Sequence, residues 1–295
     1  MSDYLHRSLR YLSVSLLCAL PLSLSLPVNA EAGGRLLATG GVSQIEGAAG
    51  GGLVPWAVIS GYGTRDQIGG AAFYTRVSPD DFDLDSSGVA IGFYDRFEVS
   101  FAHQSFDLGT TVPGEEIKQD IVGLKLRLSG DAIYDQDQPW PQLAVGVQYK
   151  KNRDYDFIPK TLGAKDDSDT DVYLAATKVW LAGPFGRIWL ANGTMRATRA
   201  NQFGLLGFGG DRDNSYQLQP EVSLAVFLAD SLIVGAEYRK KPDNLSVFRE
   251  DDARDLFVAW VPVKGFSLTA AYVDLGTIAD KLDQKGWYLS AQISM

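Results

Sequence analysis

The 295-residue chain holds 27 lysine and arginine residues against 36 aspartate and glutamate, a net charge of −9. That balance disfavours a nucleic-acid partner, which selects basic faces. Beyond residue 30 there is one histidine, His103, and no cysteine, so disulfides and thiolate metal sites are excluded there and stability must come from a large core or from lipid.

Residues 1–30 form a unit of their own. Arg7 and Arg10 precede an apolar run over residues 11–28, and Val28-Asn29-Ala30 supplies small residues for cleavage, the pattern of a secretory signal peptide. Pro21 and several serines make the run a poor spanning helix, with only Glu31 and Arg35 as a charged flank. Cys18 follows Leu17, where lipoprotein processing needs a small residue, so lipid attachment is not expected. Residues 31–295 form the remaining domain. Its longest apolar stretches lie near 222–229 and 256–263, well short of the ~20 residues a spanning helix needs.

Two-residue alternation dominates this domain. In chain order it places strands near 35–45, 53–62, 68–77, 83–93, 96–108, 118–128, 141–152, 170–181, 186–197, 216–229, 231–241, 253–262, 265–275 and 286–295. The first two are the weakest, because residues 47–52 are nearly all glycine and alanine and also suit a bend or a segment packed inside a barrel. Phe97, Val99 and Phe101 oppose Glu98, Ser100 and Ala102, while Val122, Leu124, Leu126 and Leu128 oppose Gly123, Lys125 and Arg127. Leu143, Val145, Val147 and Tyr149 likewise oppose Ala144, Gly146 and Gln148, and Leu232, Val234, Ala236 and Tyr238 oppose Gly235, Glu237 and Arg239. In the last strand Trp287, Leu289, Ala291, Ile293 and Met295 alternate with Tyr288, Ser290, Gln292 and Ser294.

A soluble β-sandwich shows alternation too. Three features favour a transmembrane antiparallel up-and-down β-barrel, an all-β fold. Many segments run about ten residues, the length of a tilted spanning strand, rather than the five or six of a sandwich strand. Short connections near 94–95, 183–184, 230–231 and 262–265 alternate with long ones near 109–117, 153–168, 198–214, 242–252 and 276–285, as periplasmic turns and external loops do. Aromatic residues gather near both strand ends, with Phe97, Phe266 and Trp260 by short turns and Tyr149, Tyr238, Tyr272 and Trp287 by long loops. The apolar alternation ending at Met295 resembles the C-terminal signal that the barrel-assembly machinery reads, although that signal usually closes on an aromatic residue.

The count is about 12–14 strands. Fourteen follows from the segments above, and twelve follows if the N-terminal segment tucks inward. The connection over residues 130–140 is long for a periplasmic turn. A barrel of this size has a narrow or partly plugged lumen, lined here by Glu98, Lys125, Arg127, Gln148, Glu237 and Arg239, with Lys150 and Glu221 on the same face. A hairpin centred on 109–117 sets Glu98 opposite Arg127. The set serves either a neutralised interior or a selective filter for a small solute.

Few residues point to chemistry, and a non-enzymatic barrel without catalytic residues, bound metal or cofactor is expected: a narrow channel or a structural envelope protein. His103-Gln104-Ser105 sets His103 and Ser105 on one face of a strand and resembles the His-x-Ser arrangement of the outer-membrane phospholipase family. A lipid hydrolase is therefore one alternative, with Gln119 or Asp120 orienting the imidazole. Another is a surface-binding barrel acting through loops 153–168 and 198–214. Acidic clusters at Asp166, Asp167 and Asp169, at Asp211 and Asp213, and at Glu250, Asp251 and Asp252 lack the spacing of a known metal loop and read as solvated loop charge, or as contacts to divalent ions bridging lipopolysaccharide. Gly204, Gly207, Gly209 and Gly210 mark a flexible or inward-folding loop.

Gly40-Gly41-Val42-Ser43-Gln44-Ile45-Glu46-Gly47, Gly61-Tyr62-Gly63-Thr64-Arg65-Asp66-Gln67-Ile68, Gly207-Phe208-Gly209-Gly210-Asp211-Arg212 and Lys241-Pro242-Asp243-Asn244-Leu245 together resemble an uncharacterised proteobacterial outer-membrane barrel family, a domain of unknown function. The resemblance spans residues 33–295. It implies a barrel embedded in outer-membrane lipid and lipopolysaccharide of a Gram-negative bacterium, and no established activity.

Overall fold

The computed structural model describes residues 38–295; the signal peptide assigned to residues 1–30 lies outside them. Two short strands, β1 (Val42–Ser43) and β2 (Ala49–Gly50), form a small hairpin. Twelve longer strands follow: β3 (Ile68–Pro79), β4 (Asp83–Phe93), β5 (Phe97–Asp107), β6 (Glu116–Ser129), β7 (Gln142–Asn152), β8 (Ser168–Trp180), β9 (Trp189–Thr198), β10 (Gln217–Ala229), β11 (Leu232–Arg239), β12 (Ala253–Val263), β13 (Phe266–Asp274) and β14 (Lys285–Ser294). Each pairs antiparallel with its neighbours, and β14 closes on β3 from Gly286 opposite Pro79 to Ser294 opposite Ala71. Closure satisfies the whole backbone ladder, as a wall without water on its outer side requires.

Alternation sorts the side chains as the sequence implies. Val99, Phe101, Val122, Leu124, Leu224, Val258, Leu289 and Ile293 are exposed on the outer wall. Phe97 and Trp260 near the short turns, and Tyr149, Tyr238, Tyr272 and Trp287 near the long loops, are exposed on it too.

Of the two strand counts the sequence allows, fourteen gives way to twelve, with the N-terminal segment tucked inward. Residues 43–60 are buried without a break, because this segment runs inside the barrel as a plug. Glycine makes that possible: a Cβ on Gly51 would stand 2.0 Å from a Glu237 carboxylate oxygen, and one on Gly50 would stand 2.3 Å from the Val54 carbonyl. Gly47 turns the hairpin at φ 95°, a left-handed backbone that suits glycine.

A second correction concerns register. Glu98 faces Lys125, not Arg127; the hairpin closes over residues 108–115, and the two-residue slip leaves every side chain on its predicted face. Arg127 sits at the short-turn rim, bonded to Asp95, Asp131 and the Gly130 carbonyl. The long connection after β6 has structure of its own. Asp131 accepts from the backbone N–H groups of Ile133 and Tyr134, and Lys178 donates to the carbonyls of Asp135 and Gln138, tying the segment to β8.

The outer wall makes a direct prediction. Leu289→Arg on β14 should destabilise the barrel by about 2–4 kcal/mol in lipid vesicles, measured by urea unfolding. An unchanged midpoint would mean that this face does not meet hydrocarbon.

Candidate functional site

Charged residues alternate in sign along five consecutive strands in the half of the barrel toward the long loops. Lys150 comes from β7, Asp171 from β8, Arg196 from β9, Glu221 from β10 and Arg239 from β11, and all are buried. Three cations against two carboxylates leave one uncompensated positive charge. Glu46 of the plug, fully buried, supplies the missing negative charge.

Its carboxylate accepts two hydrogen bonds from the Arg239 guanidinium, at 2.9 and 3.0 Å, and pairs with Lys150 and, at 3.7 Å, with Arg196. Lys150 Nζ also lies 2.7 Å from Asp171. Arg196 donates to Glu221 and to Gln148, and Arg239 Nε lies 3.3 Å from Glu221. Burial alone would raise the Glu46 pKa, but Arg239, Lys150 and Arg196 outweigh it and hold the carboxyl well below its usual range.

Two further wall carboxylates grip plug backbone. Glu98 accepts from the N–H groups of Ala49 and Ser60 at 3.0 and 2.9 Å, while Lys125, 3.2 Å from Glu98, donates to the carbonyls of Ala49 and Val58. Glu237 accepts from Leu53 N–H at 2.7 Å and from the Ser223 hydroxyl, to which Trp56 Nε1 also donates. Gln142 donates to the Ala57 carbonyl, and Thr177 accepts from Ala57 N–H. A buried segment with so little regular structure of its own needs such partners for its peptide groups.

Loop 199–216 closes the other side. Residues 200–210 are buried, and the Phe203 carbonyl accepts from Lys150 Nζ and Gln119. The Arg239 guanidinium lies 4.3 Å from the Phe203 ring centroid, a cation–π contact. Deeper in the loops, Glu250 accepts from Gln202 N–H and lies 3.8 Å from Lys241; burial pushes its carboxyl up to about 7 against the pull of Lys241.

All six residues assigned to the lumen from sequence, Glu98, Lys125, Arg127, Gln148, Glu237 and Arg239, are buried, with Arg127 at the rim. Glu46, Asp171 and Arg196 were not among them. Arg196 and Asp171 lie on predicted strands with inward parity, a usable signal. Glu46 stood only as a lone charge in a glycine-rich stretch.

His103 and Ser105 lie on the outer wall toward the long loops. His103 Nδ1 is 2.7 Å from Asp120 Oδ1, while Gln119 points inward to Gln104. Ser105 donates to Glu116 at 2.7 Å. Acidic loop residues pair locally: Asp166 and Asp169 with Arg199, Asp167 with Lys151, Asp211 with Ser246 and Asp213 with Ser215. Among the described residues no group of three or more His, Cys, Asp or Glu side chains is placed to hold a metal ion.

A closed antiparallel wall with apolar residues outside and charges inside defines an outer-membrane β-barrel, here one with an internal plug. Residues 39–292 match the family described as "Protein of unknown function (DUF3034)", and the chain belongs to that family. No curated relative matches it. Among solved structures it is similar to the KdgM porin (TM-score 0.48, 9% identity, covering 76% of this chain and 99% of that one). It is also similar to the Acinetobacter baumannii outer membrane protein Omp33 (0.41, 9%, 77% and 96%) and to outer membrane phospholipase A from Escherichia coli (0.38, 8%, 80% and 94%). Likenesses this distant carry nothing about role.

Removing Glu46 tests this charged network. Glu46→Gln leaves the cationic excess buried and should destabilise the protein by about 3–5 kcal/mol in vesicles. A change below about 1 kcal/mol, the scale of an exposed pair, would mean that the network is hydrated.

Proposed function

We propose that the protein is exported by residues 1–30, sits in the outer membrane with its long loops outside, and rests as a closed barrel that passes small solutes when the plug shifts. One observation carries this reading. The plug is held to charged wall residues by their side chains, while the wall's own backbone ladder is complete without it. The plug can therefore leave its seat without breaking the barrel.

Glu46 is the latch in this reading, and pH tests its sign. A carboxyl depressed in the seated state stabilises that state above its ordinary pKa of 4.5 and loses the contribution as pH falls below it. Lys150, Arg196 and Arg239 face it, while Asp171 and Glu221 share those cations. In planar bilayers the protein should be nearly silent at pH 7 and show stepwise openings as pH drops below about 4.5, with Glu46→Gln opening at pH 7. Silence of both proteins at every pH would leave a structural envelope role in place of a channel.

The His103–Asp120 contact favours one second reading, a lipid hydrolase on the outer wall with Ser105 as nucleophile. His103 already has its orienting carboxylate, but the Ser105 hydroxyl is turned to Glu116. Fatty-acid release from phospholipid by purified protein, abolished in Ser105→Ala, would establish it; release that persists in Ser105→Ala would eliminate it.

A further inference from the structure

The two longest apolar runs of the sequence, near residues 222–229 and 256–263, hold a signal that a membrane-facing wall does not use. A strand between lipid and a polar lumen needs one apolar face. These strands have two: Leu224 and Val258 face out, while Ala225, Phe257, Ala259 and Val261 face in. Val179, Leu190 and Ile233 extend the inward apolar surface on β8, β9 and β11. Val179, Leu190 and Phe227 line a cavity of about 210 Å³ open between the short turns, and beside Trp56 it adjoins a second of about 40 Å³ lined by Ala225, Ile233, Phe257, Ala259 and Val261.

We propose that this cavity, inside the barrel at the short-turn rim, is a binding site for a neutral apolar small molecule of the hydrocarbon-chain class. At about 210 Å³ it exceeds the roughly 150 Å³ of a dry apolar cavity that takes up benzene, so it has room for a small apolar molecule. A helix, about 10 Å across, has no room between the plug and the continuous wall. Asp230 at the mouth is the one charged residue lining it among the described residues, with no lysine or arginine, so an anionic head group is disfavoured. Trp56 forms the wall shared by both compartments, its indole N–H fixed on Ser223 and its ring left to the ligand. The proposal goes beyond the channel reading and holds whether or not the barrel conducts.

Trp56 is also the reporter. The chain has six tryptophans; replacing Trp140, Trp180, Trp189, Trp260 and Trp287 by phenylalanine leaves Trp56 alone. In nanodiscs of unbrominated phosphatidylcholine, 1-bromodecane should quench Trp56 fluorescence along a saturating curve. Filling the larger cavity with Val179→Phe and Leu190→Phe should raise the half-quenching concentration about tenfold or more. Ile133→Asn at the mouth, outside the strands, should raise it in the same direction and covers the case in which the filled variant fails to fold, judged by its β-sheet circular dichroism. The anion 10-bromodecanoate should need a higher concentration than 1-bromodecane, a gap that Asp230→Asn narrows. Quenching that rises linearly and equally in all variants would reflect probe dissolved in the bilayer and overturn the proposal. So would saturation that appears only after deletion of residues 31–37, which would make the chain itself the occupant. Saturable binding together with silent bilayers would uphold this site while removing the channel.

Discussion

A closed wall of twelve strands confines whatever its inner face carries, and toward the long loops of β7–β11 five inward side chains carry one positive charge too many. Lys150, Arg196 and Arg239 are held in place by Asp171 and Glu221, but the five together are not neutral, and burying unpaired charge costs several kcal/mol. Glu46 completes the set from a segment that is not part of the wall. The same cations reach loop 199–216, where the Phe203 carbonyl accepts from Lys150 and the Phe203 ring lies against Arg239.

The plug trades regular structure for partners. Its hairpin has two residues in each strand, so its peptide groups depend on Glu98, Lys125, Gln142, Thr177 and Glu237. Those are side chains an empty pore would leave to water. Polar inward positions here therefore hold a second piece of chain. Nearer the short turns of β8 and β9, the inward positions Val179 and Leu190 are apolar, and the plug covers them only in part with Trp56 and Val58.

The wall was legible because alternation is a local property. Each of the twelve strands was placed to within a few residues, since one face meets oil along its length. Register was not, because Lys125 and Arg127 share a face and the pattern cannot tell which meets Glu98; the width of the turn over residues 108–115 decides it. The plug was weighed only as an alternative, for a residue such as Gly51 is chosen by the space left beside Glu237, which no periodicity encodes. Glu46 was illegible for the same reason: Lys150 lies 104 positions away along the chain, and Arg239 lies 193 away.

Hydrogen–deuterium exchange of the bilayer-embedded protein tests the plugged barrel most directly, because the amides of Ala49, Leu53, Ala57 and Ser60 donate to wall side chains. A seated plug predicts exchange over residues 43–60 as slow as that of the neighbouring strands at neutral pH. Rapid, loop-like exchange there, with the strands still protected, would show an empty lumen and contradict the central role given to Glu46.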